Sequence, residues 1–285
     1  MVRADRIPPP LLVLAAVSSV QFGGAFAKTL FDEVGPGGTV LLRVVFAAII
    51  LAAIWRPALA GRSAREWRLI VAYGFVLAAM NLSFYEALDR IPLGIAVTFE
   101  FVGPLGVAIA GSRRVLDLVW VVLAAAGILL LSNFGTADLD GLGVALALTA
   151  GGFWAAYILL AAQVGRRLPG GQGLALAMAV GALMVAPFGL ADAGGDLLSA
   201  EVLAVGLAVA ILSSAIPYTL ELEALRRLPE GVFGVLMSLE PAAAALAGFI
   251  VLGEDLAARE LIAIALVVTA SAGAARHARV PPRDA

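Results

Sequence analysis

Cysteine is absent from the 285-residue chain, so disulfides and thiolate chemistry are excluded and the redox compartment stays open. The one histidine, His277, lies near the C-terminus and offers no metal ligand or proton carrier within the apolar body. The one lysine, Lys28, lacks the preceding glycine of a phosphate-binding loop. No aspartate falls at the centre of an apolar segment, which removes the paired aspartates of an intramembrane protease. No metal, cofactor or enzymatic activity is therefore expected. Charge is scarce as well, at 14% of residues, whereas soluble domains carry about a quarter. A net charge of −2 gives no reason to expect a nucleic-acid partner. What remains is 62% hydrophobic, with a mean hydropathy of +1.00. A soluble globule of this size could not hide so much apolar surface, and disorder needs the opposite composition. The composition is that of an integral membrane protein.

A spanning helix takes about 20 apolar residues. Ten such spans are predicted near 10–30, 37–55, 68–88, 93–111, 117–134, 141–163, 172–190, 202–225, 231–251 and 257–275, an all-α fold. Glycine, proline or charge separates them, as at Asp32 to Pro36, Asp89 to Pro92, Arg166 to Pro169 and Arg226 to Pro229. Connections this short suggest that consecutive helices pack as antiparallel neighbours. If both termini are cytoplasmic, 15 of the 19 basic residues fall on the inner side and only Arg90 and Arg259 on the outer. The outer loops are correspondingly acidic, with Asp32, Glu33, Asp138, Asp140, Asp192, Asp196, Glu254 and Asp255. Residues 1–27 have the layout of a secretory signal, ending in Ala25-Phe26-Ala27. Asp5, the Pro8-Pro9-Pro10 run and a polar stripe inside the apolar stretch argue against cleavage.

The chain also resembles itself. At an offset of 137, residues 85–111 match residues 222–248 at ten of 27 positions, including Glu86/Glu223, Arg90/Arg227, Pro92/Pro229, Gly94/Gly231 and Pro104/Pro241. Chance similarity between alanine-rich helices is the competing reading. Two units, 1–134 and 135–285, would each hold five spans, and an odd number places the copies upside down relative to each other. Inverted repeats that rock about a site near the midplane are typical of secondary transporters.

Ionisable groups inside a span cost about 2.5–3.5 kcal/mol each near a helix centre and persist where they face water or each other. Here they are Lys28, Arg43, Glu86, Glu100, Glu221, Glu223 and Glu240. For Glu86, Glu221 and Glu223, near span ends, the alternative is simple reach to water. For Arg43, Glu100 and Glu240, which lie deeper, the alternative is a structural ion pair. Lys28, Arg43, Glu86 and Glu100 are expected toward the outer half, and Glu221, Glu223 and Glu240 toward an inner half without an embedded cation. A partnerless carboxylate in poorly hydrated surroundings can exchange protons near neutral pH. Glu240 or Glu221 is the candidate coupling group, while Lys28 or Arg43 would attract a substrate carboxylate.

Helical spacing gathers Ser18, Gln21, Ala25 and Lys28 on one face, Ser214, Tyr218 and Glu221 on another, and Asn81 with Tyr85 on a third. Phe153, Trp154 and Tyr157 add aromatic surface. These stripes read as cavity lining or, alternatively, as helix–helix hydrogen-bond seams. Gly143, Ala147 and Gly151, spaced by four, read as close helix packing. Pro104 and Pro241 withdraw the bonds to the carbonyls of Glu100 and Met237, and Pro217 adds a third break. All three are candidate hinges.

Several of these segments together resemble the drug/metabolite transporter superfamily of the EamA type. They are Gln21 to Lys28, Pro92 to Val97, Glu100 to Leu105, Ser112-Arg113-Arg114 with Asp117 to Val122, Ile216 to Glu221 and Met237 to Ala242. The similarity is strongest toward the threonine/homoserine exporter type and related amino-acid exporters. Lys28, Arg43, Asn81, Glu100, Tyr218, Glu221 and Glu240 stand where that type has the same residue, whereas Glu86 and Glu223 do not. The resemblance implies ten spans in two five-helix repeats. It also implies proton-driven efflux of small amino acids, threonine or homoserine and in some relatives methionine, from the bacterial inner membrane. Glu100 then has two possible roles, holding the substrate amine or carrying a proton. The partners implied are the amino acid, protons and the lipid bilayer, with a monomer favoured over a dimer. A drug or other metabolite exporter of the same superfamily is the alternative. A non-transporting receptor or assembly subunit is the alternative of another class.

Overall fold

The computed structural model describes residues 7–91, 93–111, 114–131, 140–193, 196–240, 243 and 258–277. Among these residues there are helices and turns and no strand. In chain order the α-helices are α1 (Pro9–Lys28), α2 (Phe31–Trp55), α3 (Ala64–Arg90), α4 (Leu93–Glu100), α5 (Val102–Gly111) and α6 (Val115–Leu131). There follow α7 (Gly141–Arg167), α8 (Gln172–Asp192), α9 (Ala200–Ala210), α10 (Ile216–Leu225), α11 (Glu230–Met237) and α12 (Ala258–His277). A π turn, Ile211–Ala215, joins α9 to α10 into one helical run. Among the described residues five helical stretches are long and apolar enough to cross a membrane: α2, α3, α7, α8 and Ala200–Leu225. Pro241 and the rest of the ninth expected span beyond residue 243 lie outside the described residues.

Polar residues start the helices where the apolar segments end. Ser63 and Glu66 form a reciprocal capping box at α3, and the Asp140 and Ser199 side chains accept from the Leu142 and Val202 N–H groups. The expected Asp32 to Pro36 break falls within the first turns of α2, where the helix is interrupted at Gly35 (φ 65°, ψ 173°), a backbone state glycine adopts without strain. The helix restarts at Pro36, where a missing N–H costs nothing. Asp192, at the end of α8, accepts from the Gly37 N–H at 2.7 Å and so caps that restart.

The packing also departs from the sequence expectation. The main partnerships are α2 with α8, α3 with α7 and α6 with α12, while the consecutive pairs α1/α2 and α7/α8 barely touch. In lipid no hydrophobic drive pairs neighbouring helices, so backbone approach at small residues decides the partner. Gly103 and Gly151 bring α5 and α7 into backbone contact, and Gly111 and Gly231 do the same for α5 and α11. Large apolar side chains such as Ile49, Phe75, Leu129, Leu183 and Phe188 point outward, leaving the polar groups inside.

Candidate functional site

Arg43 stands halfway along α2, about 18 Å from either helix end at 1.5 Å per residue. It is only 7% exposed. Its Nε donates to Ser214 Oγ at 2.7 Å, Nη1 to the Tyr85 hydroxyl at 3.0 Å, and Nη2 to the Ser213 carbonyl at 2.6 Å and the Tyr218 hydroxyl at 3.2 Å. The guanidinium carbon lies 5.6 Å from the Tyr85 ring centroid and 5.8 Å from that of Tyr218. Asn81 steadies this arrangement, its Nδ2 donating to the Leu77 carbonyl at 2.7 Å and to the Tyr218 hydroxyl at 3.2 Å. No carboxylate among the described residues comes within 4.0 Å of the guanidinium. Four of the five donors therefore serve neutral acceptors, which an entering carboxylate could replace with stronger charge-assisted bonds.

An aromatic wall adjoins the arginine. Tyr157 of α7 donates to Glu221 Oε2 at 2.7 Å, stacks on Tyr73 at 5.6 Å and tilts against Tyr218 at 5.4 Å. Trp154 packs edge-on against Phe101 at 5.2 Å, next to Glu100. Glu100 closes α4 and is 8% exposed, and its carboxylate has no hydrogen-bond partner among the described residues. The Glu100 backbone carbonyl is packed against Gly151, so the bond withdrawn by Pro104 accommodates α7 rather than opening toward the arginine. Glu240 is half-buried, and its carbonyl accepts from Gln21 Nε2 at 3.3 Å. Arg43 acts electrostatically on Glu100, Glu221 and Glu240, and Glu100 and Glu221 act on Glu240.

Some expected residues stand apart. Ser18 is exposed and returns its hydroxyl to the Leu14 carbonyl of its own helix. Its neighbour Ser19 reaches inward instead, donating to the Leu212 carbonyl at 2.6 Å. Lys28 ends α1, but its side chain lies outside the described residues. Glu223 pairs with Arg226 and Arg227 at 3.0 and 2.9 Å, as a structural tie at the end of α10. Glu86 is half-buried near the end of α3. The Ser213 carbonyl and Ser19 were not singled out beforehand; the available signal was Pro217, four residues beyond Ser213.

Residues 141–275 match the EamA-like transporter family. The chain is similar to the threonine/homoserine exporter RhtA of Salmonella typhimurium (strain SL1344), 43% identical over 96% of this chain and 94% of that protein. It is also similar to the threonine/homoserine exporter RhtA of Escherichia coli (strain K12), 44% identical over 93% of this chain and 90% of that protein. A solved crystal structure shares the fold with a TM-score of 0.78 at 18% identity, covering 93% of this chain and 96% of the other. Identity of this degree over nearly the whole length makes the chain a multi-pass membrane transporter and a member of the EamA-like transporter family.

Proposed function

We propose that the protein is a secondary-active exporter of small neutral amino acids, threonine and homoserine first, working by alternating access in exchange for protons across the bacterial inner membrane. The observation that carries this reading is the buried Arg43, held at mid-helix by hydroxyls and a carbonyl instead of a carboxylate. A buried guanidinium with no carboxylate in direct contact among the described residues suits a ligand that supplies its own. Glu100, buried and without a hydrogen bond to its carboxylate among the described residues, suits the substrate ammonium. Glu221 and Glu240, with Glu100 as a third candidate, are the groups proposed to carry the exchanged proton. The names of the relatives support the substrate class.

We further infer ten spans in two inverted five-helix units, 1–134 and 135–285, with cytoplasmic termini. Helix partnerships support this reading. Exchanging each helix for its counterpart in the other half turns the α3/α7 pairing into the pairing of α1 with α9–α10. The same exchange turns α3/α8 into the pairing of α2 with α9, and leaves α2/α8, α5/α11 and α6/α12 as pairs of counterparts; all of these occur. The family match over 141–275 falls within the second proposed unit. Pro104, Pro217 and Pro241 are the proposed hinge points, and the working unit is proposed to be a monomer.

The test is transport by protein reconstituted in liposomes, with labelled threonine, methionine and a quaternary amine. Saturable threonine transport that responds to a pH gradient is expected. Transport of the quaternary amine alone would overturn the reading and leave a cation exporter of the same family.

A further inference from the structure

The π turn exposes backbone in a defined place. The N–H of Ile216 reaches back five residues to the Ile211 carbonyl, which takes it away from Leu212. In a regular helix the Ser213 carbonyl would receive the N–H of residue 217, which is proline and has none. Both carbonyls are met by side chains from other helices: Leu212 by Ser19 of α1, and Ser213 by Arg43 of α2. Ser213 is 1% exposed, so its carbonyl is a dry acceptor beside the guanidinium. Gly23 of α1 fits against the same turn, where any larger residue would collide with Ser213.

An ammonium group brings three N–H donors into a dry site, and a single carboxylate such as Glu100 need not satisfy them all. When a ligand carboxylate takes over Arg43, the Ser213 carbonyl loses its partner next to the ligand. We propose that the Ser213 carbonyl, left without its helical donor by Pro217, is a subsite for the substrate's primary ammonium, exchanging Arg43 for that group as the amino acid binds. Arg43 reads the carboxylate and the backbone at Ser213 reads the amine, so the pair selects zwitterions over simple carboxylates. Helix interruptions that line substrate sites in other transporters follow the same physical logic. The subsite rests on the proposed role of Arg43.

The test is Pro217→Ala in the full-length protein, which returns an N–H to position 217 to occupy the Ser213 carbonyl. Affinities are measured for threonine and for 3-hydroxybutyrate, the same skeleton without the amine. Threonine is expected to weaken about tenfold while 3-hydroxybutyrate changes by less than about twofold. Equal weakening of both, or no change in their ratio, overturns the subsite. The wild-type protein gives an independent reading. N-trimethylthreonine, cationic but without N–H, is expected to bind at least about tenfold more weakly than threonine. Equal binding of the two overturns the subsite even if the variant does not fold. If wild-type protein binds no threonine, the exporter reading falls and the subsite falls with it.

Discussion

Arg43 draws its partners from two separate stretches of sequence: Tyr85 on α3, and Ser213, Ser214 and Tyr218 on the run from the π turn into α10. Lysine keeps the charge but loses the planar fork that serves those acceptors. Arg43→Lys is therefore expected to lower threonine transport at least about tenfold, the equivalent of one lost hydrogen bond to a charged group. Transport within about twofold of wild type would count against a guanidinium-specific role. Glu221→Gln and Glu240→Gln test the proton path, and at least one is expected to abolish the pH dependence of transport. An unchanged pH profile in both would remove these carboxylates from it. Much of this cluster was legible in the sequence, because Arg43, Asn81, Tyr85, Tyr218 and Glu221 are polar groups embedded in apolar runs. Ser18 is exposed: helical spacing defines a face without saying which way it turns. One residue on, and about 100° around the helix, Ser19 makes the contact with Leu212. Ser18→Ala should leave thermal stability unchanged, while Ser19→Ala should lower it by about 1 kcal/mol, checked by unfolding in detergent.

The start of α3 at Ala64, four residues before the expected 68, has a local cause: the Ser63 N–H and hydroxyl both donate to Glu66 Oε2, at 2.7 and 2.9 Å. These bonds hold the Glu66 carboxyl below the ordinary glutamate range. A lowered folded-state value means the cap is at full strength above the ordinary range and weakens as pH falls through the lowered one. Ser63→Ala should return the Glu66 titration, followed by NMR, toward the ordinary value. Helix partners were not readable, since they depend on which small residues meet across the molecule. Gly103 and Gly151 lie 48 positions apart, yet they set how closely α5 approaches α7. Gly103→Ala should destabilise by about 1–3 kcal/mol through overpacking. The π turn was equally hidden, because Pro217 signals a break without specifying whether the helix kinks, widens or ends.

For the whole molecule, composition alone identified the solvent, and the basic residues gave an orientation that remains to be measured. Because the chain has no native cysteine, single cysteines can be placed at the exposed Leu59, Arg167, Asp140 and Leu198 without background. With cytoplasmic termini, the first two should label only from the inner side and the last two only from the outer. The reverse pattern would invert the proposed topology. Folding brings Arg43 within electrostatic reach of Glu100, Glu221 and Glu240, which are far apart in the sequence. A transporter of zwitterions needs both signs of charge at one site, and it needs the cation to be free of a permanent ion pair. The most direct measurement is the binding of threonine and of threonine methyl ester to wild-type protein and to Arg43→Ala. The free carboxylate should be preferred at least about tenfold by wild type, and that preference should vanish in the variant. Equal binding of acid and ester by the wild-type protein would contradict a carboxylate-reading Arg43.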